Sequence, residues 1–312
     1  MKRALVFGAG GFAGGYMVEE LLNNGYEVYG CSRYSRITND HIAGVFVCDL
    51  VDADRVKTVI SMVNPEVVVN LAGISSVGVS WRIPQSTVEI NVIGALNILE
   101  AVRMNDSDTD VLCIGSSEEY APSETAISED MPLDASNPYG ISKMMLEQYC
   151  AMYRDHHGMK VHYVRSFNHT GVGQADTFVL PSWSKQVAEI AASGSPGTMK
   201  VGNLSVSRDF SDVRDVVRAY RLVLEKGDCA QVYNIGSGKS HSLKDVLGYI
   251  TEQSDVAVSV EVNPRLIRPV ENQVILCDHS KISKELGWEP EIDIRDTLKE
   301  LYDYYYERMK SS

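Results

Sequence analysis

A chain of 312 residues with 44% hydrophobic and 23% charged side chains can bury one large core, or one core plus a smaller lobe. Its formal charge of −13, from 42 acidic against 29 basic residues, excludes nucleic acid and anionic membrane as natural partners, so a phosphate-bearing ligand has to be held by local arginines and helix ends. Six scattered cysteines without CxxC or Cys/His spacing give neither a disulfide frame nor a metal site, Met1-Lys2-Arg3 starts no leader pattern, and no apolar run reaches the ~20 residues of a bilayer span, so a cytoplasmic, metal-free protein is expected.

Short β-branched runs alternate with helical stretches up to about residue 170. The predicted strands are 3–7, 27–31, 44–48, 67–70, 111–114 and 160–165, and the helices between them are 14–23, 53–62, 87–103 and 139–157. This βαβ alternation predicts an α/β fold, a Rossmann-type doubly wound parallel sheet. After Asn168-His169-Thr170-Gly171-Val172-Gly173 the texture changes to a helix over 180–193, turns, a helix over 213–226, a strand over 231–235 and a stretch rich in Pro, Glu and Tyr. The division expected is a nucleotide-binding domain over 1–170, to which segments at about 210–240 return, and a smaller C-terminal α/β substrate lobe over most of 171–312. Ligands of open α/β sheets sit in the crevice at the carboxyl ends of the strands, where such a lobe would close. The tyrosine-dense run over 301–306 reads as an amphipathic helix without chemistry.

Gly8, Gly11 and Gly14 form GxxGxxG directly after the first strand, with Phe12 inside the motif. Glycines here permit a tight turn and close approach of backbone to a diphosphate, and the following helix offers free N–H groups and a positive dipole end. The second strand ends in Ser32-Arg33, where NAD would ask for an acidic residue. A hydroxyl beside a guanidinium suits a 2′-phosphate, so NADP(H) is expected over NAD(H). Asp49-Leu50 falls where the adenine edge would lie, and Leu71-Ala72-Gly73 presents small residues to the cofactor. Tyr139 and Lys143 are four apart on one helix face, where an ammonium can draw a phenol from ~10 toward the working range. Ser116, at the end of the strand over 111–114 and Gly115, is their natural partner.

The set Gly8/Gly11/Gly14, Asp49, Leu71-Ala72-Gly73, Asn91, Ser116, Tyr139 and Lys143 resembles the extended short-chain dehydrogenase/reductase family of nucleotide-sugar enzymes, over nearly the whole chain. Arg165-Ser166-Phe167-Asn168-His169, Val201-Gly202-Asn203-Leu204, Arg208-Asp209-Phe210-Ser211-Asp212-Val213-Arg214-Asp215 and Arg268-Pro269-Val270-Glu271 look like its GDP-mannose branch. The resemblance implies Ser116, Tyr139 and Lys143 as catalytic residues with Glu118 beside them. It implies a GDP-sugar held by Ser76, Asn168, Lys185, Arg208, Arg268 and Glu271, the two arginines on the diphosphate and Glu271 on ribose hydroxyls. His169 reads as a wall of the pocket. A homodimer through a four-helix bundle of the helices over 87–103 and 139–157 is also implied.

Within the branch, the short segment from Tyr34 to Val45 and the runs Ile114-Gly115-Ser116-Ser117-Glu118-Glu119-Tyr120 and Ser75-Ser76-Val77-Gly78-Val79-Ser80-Trp81 are similar to the reductases, while Ala121 replaces the glycine that commonly follows the tyrosine. The resemblance therefore implies NADPH-dependent reduction of the C4 ketone of GDP-4-dehydro-6-deoxy-D-mannose to a GDP-6-deoxyhexose such as GDP-D-rhamnose. Tyr139 would donate the proton, Lys143 would lower its pKa and hold the nicotinamide ribose, and Ser116 would hydrogen-bond the carbonyl. One alternative is 4,6-dehydration of GDP-mannose with recycled NADP and Glu118 as base. Another is a regulatory protein that binds NADP and a nucleotide sugar without turnover.

Overall fold

The computed structural model describes residues 1–34, 37, 39–105, 108–267 and 272–311. The first half runs β1 (Arg3–Phe7), α1 (Phe12–Asn23), β2 (Glu27–Ser32), β3 (Gly44–Val47), α2 (Ala53–Val63), β4 (Val67–Asn70), α3 (Val77–Ser80), α4 (Pro84–Val88), a π-helical turn (Glu89–Ile93), α5 (Gly94–Met104), β5 (Asp110–Ser116), α6 (Pro138–His157) and β6 (Val161–Ser166). The second half runs β7 (Asn168–Thr170), α7 (Val179–Ser193), β8 (Gly197–Val201), β9 (Ser207–Asp212), α8 (Val213–Lys226), β10 (Val232–Ile235), β11 (Ser240–Ser242), α9 (Leu243–Thr251), β12 (Val258–Val262), β13 (Val274–Ile275), α10 (Ser280–Leu286) and α11 (Ile294–Lys310).

Seven parallel strands form the central sheet in the order β10-β6-β5-β4-β1-β2-β3, so the chain reverses direction across the sheet between β1 and β4. That reversal opens the crevice at the carboxyl ends of the strands. The strands are apolar on both faces because both are covered: Ala4, Val6 and Val69 meet α1 and α8, while Leu5, Phe7 and Val68 meet α2, α5 and α6. The doubly wound α/β sheet expected from the sequence is therefore present. β10 lies beside β6, and α8 packs in the same core as α1.

A separate core of Leu180, Trp183, Val187, Val246, Leu247, Leu298 and Leu301 joins α7, α9 and α11 to the small sheets β8-β12 and β11-β9-β13. The apolar stripe predicted over 180–193 becomes α7, and the tyrosine run lies on α11. The helix expected over 87–103 begins earlier, at Pro84, and passes through the π turn around Asn91. Among the described residues no helix is long and apolar enough to cross a membrane, and no group of three or more His, Cys, Asp or Glu could hold a metal ion.

Candidate active site

The turn after β1 is built as a cradle. Gly8 has φ +84°, and a methyl there would stand 2.7 Å from the Ala72 amide nitrogen; a methyl on Gly14 would run into the Gly8 carbonyl. Both positions thus need glycine, one for its left-handed backbone and one for the close approach of α1 to β1. The Gly8 and Ala9 amides donate to the Cys31 carbonyl at 2.8 and 3.2 Å, tying the turn to the end of β2. α1 is preceded by Gly11 at its N-cap, with no side-chain cap, so its first N–H groups can face a diphosphate. These residues fit a dinucleotide. Phe12 stacks on His169 with ring centroids 6.2 Å apart, which makes His169 a wall of this region.

Ser32, at the end of β2, lies against the cradle, since a methyl on Gly10 would meet its Oγ at 3.0 Å. Beside it a depression of about 420 Å³ is lined by Arg33, Tyr34, Val47, Cys48, Asp49, Asp52 and Arg55. Arg33 and Asp49, predicted separately, share this depression. Arg55 was missed by the sequence reading, because on α2 it looked like one more charged residue of an exposed face. Its Nε donates to the Val47 carbonyl at 3.0 Å, which aims it at the end of β3. Leu50 is buried against Gly94, and its carbonyl accepts the Asn97 side chain at 2.8 Å, so it packs the floor. A larger depression of about 690 Å³ along α11, lined by Val172, Glu300, Asp303, Tyr304, Glu307, Arg308 and Ser311, contains none of the predicted site residues.

The chemistry-bearing group sits at the carboxyl end of β5 and the start of α6. Asn137 caps α6 by accepting the Gly140 amide, and Pro138 occupies the first turn, where its missing N–H costs nothing. Tyr139 therefore enters on the first turn and Lys143 one turn later on the same face, with Nζ 5.8 Å from the Tyr139 ring centroid. The Ser116 hydroxyl stands close enough to the Tyr139 phenol to draw its pKa down, and it accepts the Glu118 amide at 3.2 Å. Ser116, Tyr139 and Lys143 are thus brought together. Glu118 stands next to them with its Oε2 accepting the Asn137 side-chain amide at 2.9 Å.

The expected effect of Lys143 on Tyr139 is not found. The phenol is held above its ordinary value, first by burial and then by the charges of Glu118 and Glu119, with the Ser116 hydrogen bond pulling the other way. The Lys143 ammonium donates instead to the Ile114 carbonyl at 2.7 Å, and burial lowers its own pKa. Asn91 supplies a brace whose role the sequence did not reveal. Its Oδ1 accepts the Ile74 amide at 2.7 Å, and its Nδ2 donates to the Ile74 carbonyl and the Ser142 hydroxyl, each at 3.0 Å. Ser142 in turn donates to the Tyr139 carbonyl at 2.6 Å. The π turn aims this side chain between β4 and α6. Leu71, Ala72 and Gly73 lead from β4 into it, and a methyl on Gly73 would meet Asn91 Oδ1 at 2.8 Å.

The residues expected for the substrate are less concentrated. Ser76 caps α3, and exposed Asn168 pairs with Phe210 across β7 and β9. Arg208 is buried on β9, with one guanidinium nitrogen donating to the Ser207 carbonyl at 2.8 Å. Lys185 forms a partly exposed ion pair with Asp176 at 2.6 Å. Arg268 and Glu271 lie outside the described residues.

Residues 5–301 match the GDP-mannose 4,6 dehydratase family. The chain is 31% identical to a GDP-6-deoxy-D-mannose reductase of Pseudomonas aeruginosa over 79% of this chain and 82% of that protein. It is 28% identical to a GDP-mannose 4,6-dehydratase of Vibrio cholerae over 96% of this chain and 92% of that one. Among solved structures, RMD from Pseudomonas aeruginosa complexed with NADPH superposes with TM-score 0.87 and 27% identity, covering 99% of this chain and 100% of that chain. The chain belongs to the GDP-mannose 4,6 dehydratase family and has the extended short-chain dehydrogenase/reductase fold.

Proposed function

We propose that the protein is an NADPH-dependent reductase that converts GDP-4-dehydro-6-deoxy-D-mannose to a GDP-6-deoxyhexose, GDP-D-rhamnose being the product we favour. The observation that carries the reading is the convergence of Ser116, Tyr139 and Lys143 at the carboxyl end of β5, on the same edge of the parallel sheet as the glycine cradle that follows β1. The reductase named among the relatives supports it over dehydration. So does Glu118, whose carboxylate is engaged by the cap of α6.

Gly8, Gly11, Phe12 and Gly14 would hold the dinucleotide diphosphate. Ser32, Arg33 and Arg55 would hold the 2′-phosphate, Asp49 and Leu50 the adenosine, and Leu71 to Gly73 the nicotinamide side. Bound NADPH supplies the hydride. The chain's own part is proton supply and charge stabilisation: Ser116 donates a hydrogen bond to the substrate's C4 oxygen, and Tyr139 gives that oxygen its phenolic proton as charge develops. A phenol held high by burial is fully protonated at neutral pH, as a proton donor must be. Lys143, one turn further along α6 with its ammonium on the Ile114 carbonyl, would hold the nicotinamide ribose. Ser76, Asn168, Lys185, Arg208, Arg268 and Glu271 are proposed for the GDP-sugar, within a lobe over most of 171–312 that closes on the domain over 1–170. A homodimer is proposed through α4, α5 and α6, whose outward Ile83, Ile93, Ile141 and Met152 are exposed large apolar residues at or next to those helices. Six free cysteines suit the cytoplasm.

The test is to incubate the purified protein with NADPH and either GDP-mannose or GDP-4-dehydro-6-deoxy-D-mannose, following reduced-nicotinamide absorbance and identifying products by NMR. Oxidation of NADPH with the keto sugar alone is expected. Formation of keto sugar from GDP-mannose without net NADPH loss would overturn the reading in favour of a dehydratase with Glu118 as base.

A further inference from the structure

Behind Ser116 lies a carboxyl that the steps above do not use. Glu119 is fully buried on the 3-10 turn Ser117–Glu119 that follows β5. Its Oε1 accepts the Ser116 amide at 2.6 Å and lies 3.2 Å from the Tyr163 hydroxyl. Gly115 makes the room: a methyl there would stand 2.6 Å from the Tyr163 hydroxyl and run into Glu119 Oε1. Oε2 is buried and has no hydrogen-bond donor among the described residues, and the neighbouring Glu147 carboxylate faces the same side chain.

Two carboxyl groups hydrogen-bond each other only if one of them carries a proton. Glu147 is held by the Arg165 guanidinium at 2.8 and 2.6 Å, as a carboxylate is, while Glu119 has no ion pair among the described residues and the nearby Lys143 ammonium donates to the Ile114 carbonyl. The proton therefore belongs on Glu119. We propose that Glu119 is a positioning residue held as a neutral carboxylic acid, donating its proton to Glu147 and accepting the Ser116 amide, so that the Ser116 hydroxyl is fixed against Tyr139. Titratable groups face it from α6 (Tyr139, Lys143, Glu147, Cys150) and from β6 (Tyr163, Arg165). Burial first and the Glu147 charge second push the Glu119 carboxyl up to about 8, against the pull of the Ser116 amide and Arg165. The neutral acid thus persists through the working range, which the geometry requires.

Glu119→Gln keeps both hydrogen bonds, its amide donating to Glu147 and its carbonyl accepting from Ser116, whereas Glu119→Ala loses both. In NADPH-dependent reduction of the keto sugar, Glu119→Gln is expected to retain kcat within about threefold. Glu119→Ala is expected to lose about tenfold or more in kcat with KM little changed, the equivalent of one lost hydrogen bond expressed in the transition state. Equal losses in both variants, or wild-type kcat in Glu119→Ala, overturn the proposal. These arms rest on the reductase reading, and a spectroscopic arm does not. Infrared difference spectra of wild type minus Glu119→Gln at about pH 6 are expected to show the carbonyl band of a protonated carboxyl, and carboxylate bands in its place overturn the proposal. A wild type inert toward the keto sugar refutes the reductase reading, while the infrared band still decides on Glu119.

Discussion

At the scale of single residues, the site separates proton supply from charge management. Tyr139 is the phenol whose pKa Ser116 draws down, and burial holds its proton in place. Tyr139→Phe should therefore cut kcat for the keto sugar by roughly 10²-fold or more while NADPH affinity, measured by fluorescence titration, stays within a few-fold. Glu118 is the informative control. Its Oε2 meets Asn137 Nδ2, so Glu118→Gln should leave NADPH-dependent reduction within about fivefold, and a loss approaching that of Tyr139→Phe would return Glu118 to the chemistry. On the cofactor side, Arg33 and Arg55 line one depression and supply two forked cations in a chain of charge −13. Truncating either to Ala should raise KM for NADPH by about tenfold and leave KM for NADH nearly unchanged, since each removes a charge-assisted contact to a phosphate that NADH lacks.

At the scale of elements, what the sequence made legible is what local chemistry writes down. GxxGxxG after an apolar strand announced the cradle, and the four-residue spacing of Tyr139 and Lys143 announced one face of α6, because turn geometry and helical spacing are local constraints. Asn91 is a different case: its helical neighbours carry no signal for a π turn, and its partners Ile74 and Ser142 are 17 and 51 residues away. The lobe's short strands were hidden for a related reason. β9 reads Ser-Arg-Asp-Phe-Ser-Asp, a polar run by composition, yet it is buried because distant groups satisfy its carboxylates. Asp209 accepts the Ser237, Gly238 and Cys277 amides, Asp212 the Thr297 hydroxyl, and Asp215, just inside α8, the Glu291 and Ile292 amides. The segment that follows Arg208, read from the sequence only as a family likeness, is therefore largely structural. Asn91→Ala leaves both polar groups of Ile74 without their partner, at about 1–3 kcal/mol. Calorimetry should show the lower Tm, and kcat should fall with it, because the same side chain steadies Ser142 and the Tyr139 backbone.

At the scale of the whole molecule, surface and interior make separate predictions. The apolar residues Ile93, just before α5, and Ile141, on α6, each 46% exposed, lie at the helices proposed to pair, and a charge buried in that interface would be unpaired. Ile141→Asp should therefore convert a dimer to monomer in sedimentation velocity, and a wild-type protein already monomeric at micromolar concentration would remove the interface from consideration. The interior prediction concerns pH. Glu119 titrates near its ordinary value of 4.5 when the chain is unfolded and at about 8 when it is folded. Below 4.5 both states hold the proton, and the stabilisation from the neutral acid is fully present. As pH rises from 4.5 to 8 the folded state alone keeps the proton, so this stabilisation is lost at up to about 1.4 kcal/mol per pH unit, and above 8 the loss is complete. Glu119→Gln has no proton to lose. Its unfolding free energy relative to wild type, from urea titrations at matched pH, should therefore climb by a few kcal/mol between about pH 5 and pH 8 and level off above. A pH-independent difference between the two proteins would mean that Glu119 takes up no proton on folding and is ionised in the fold.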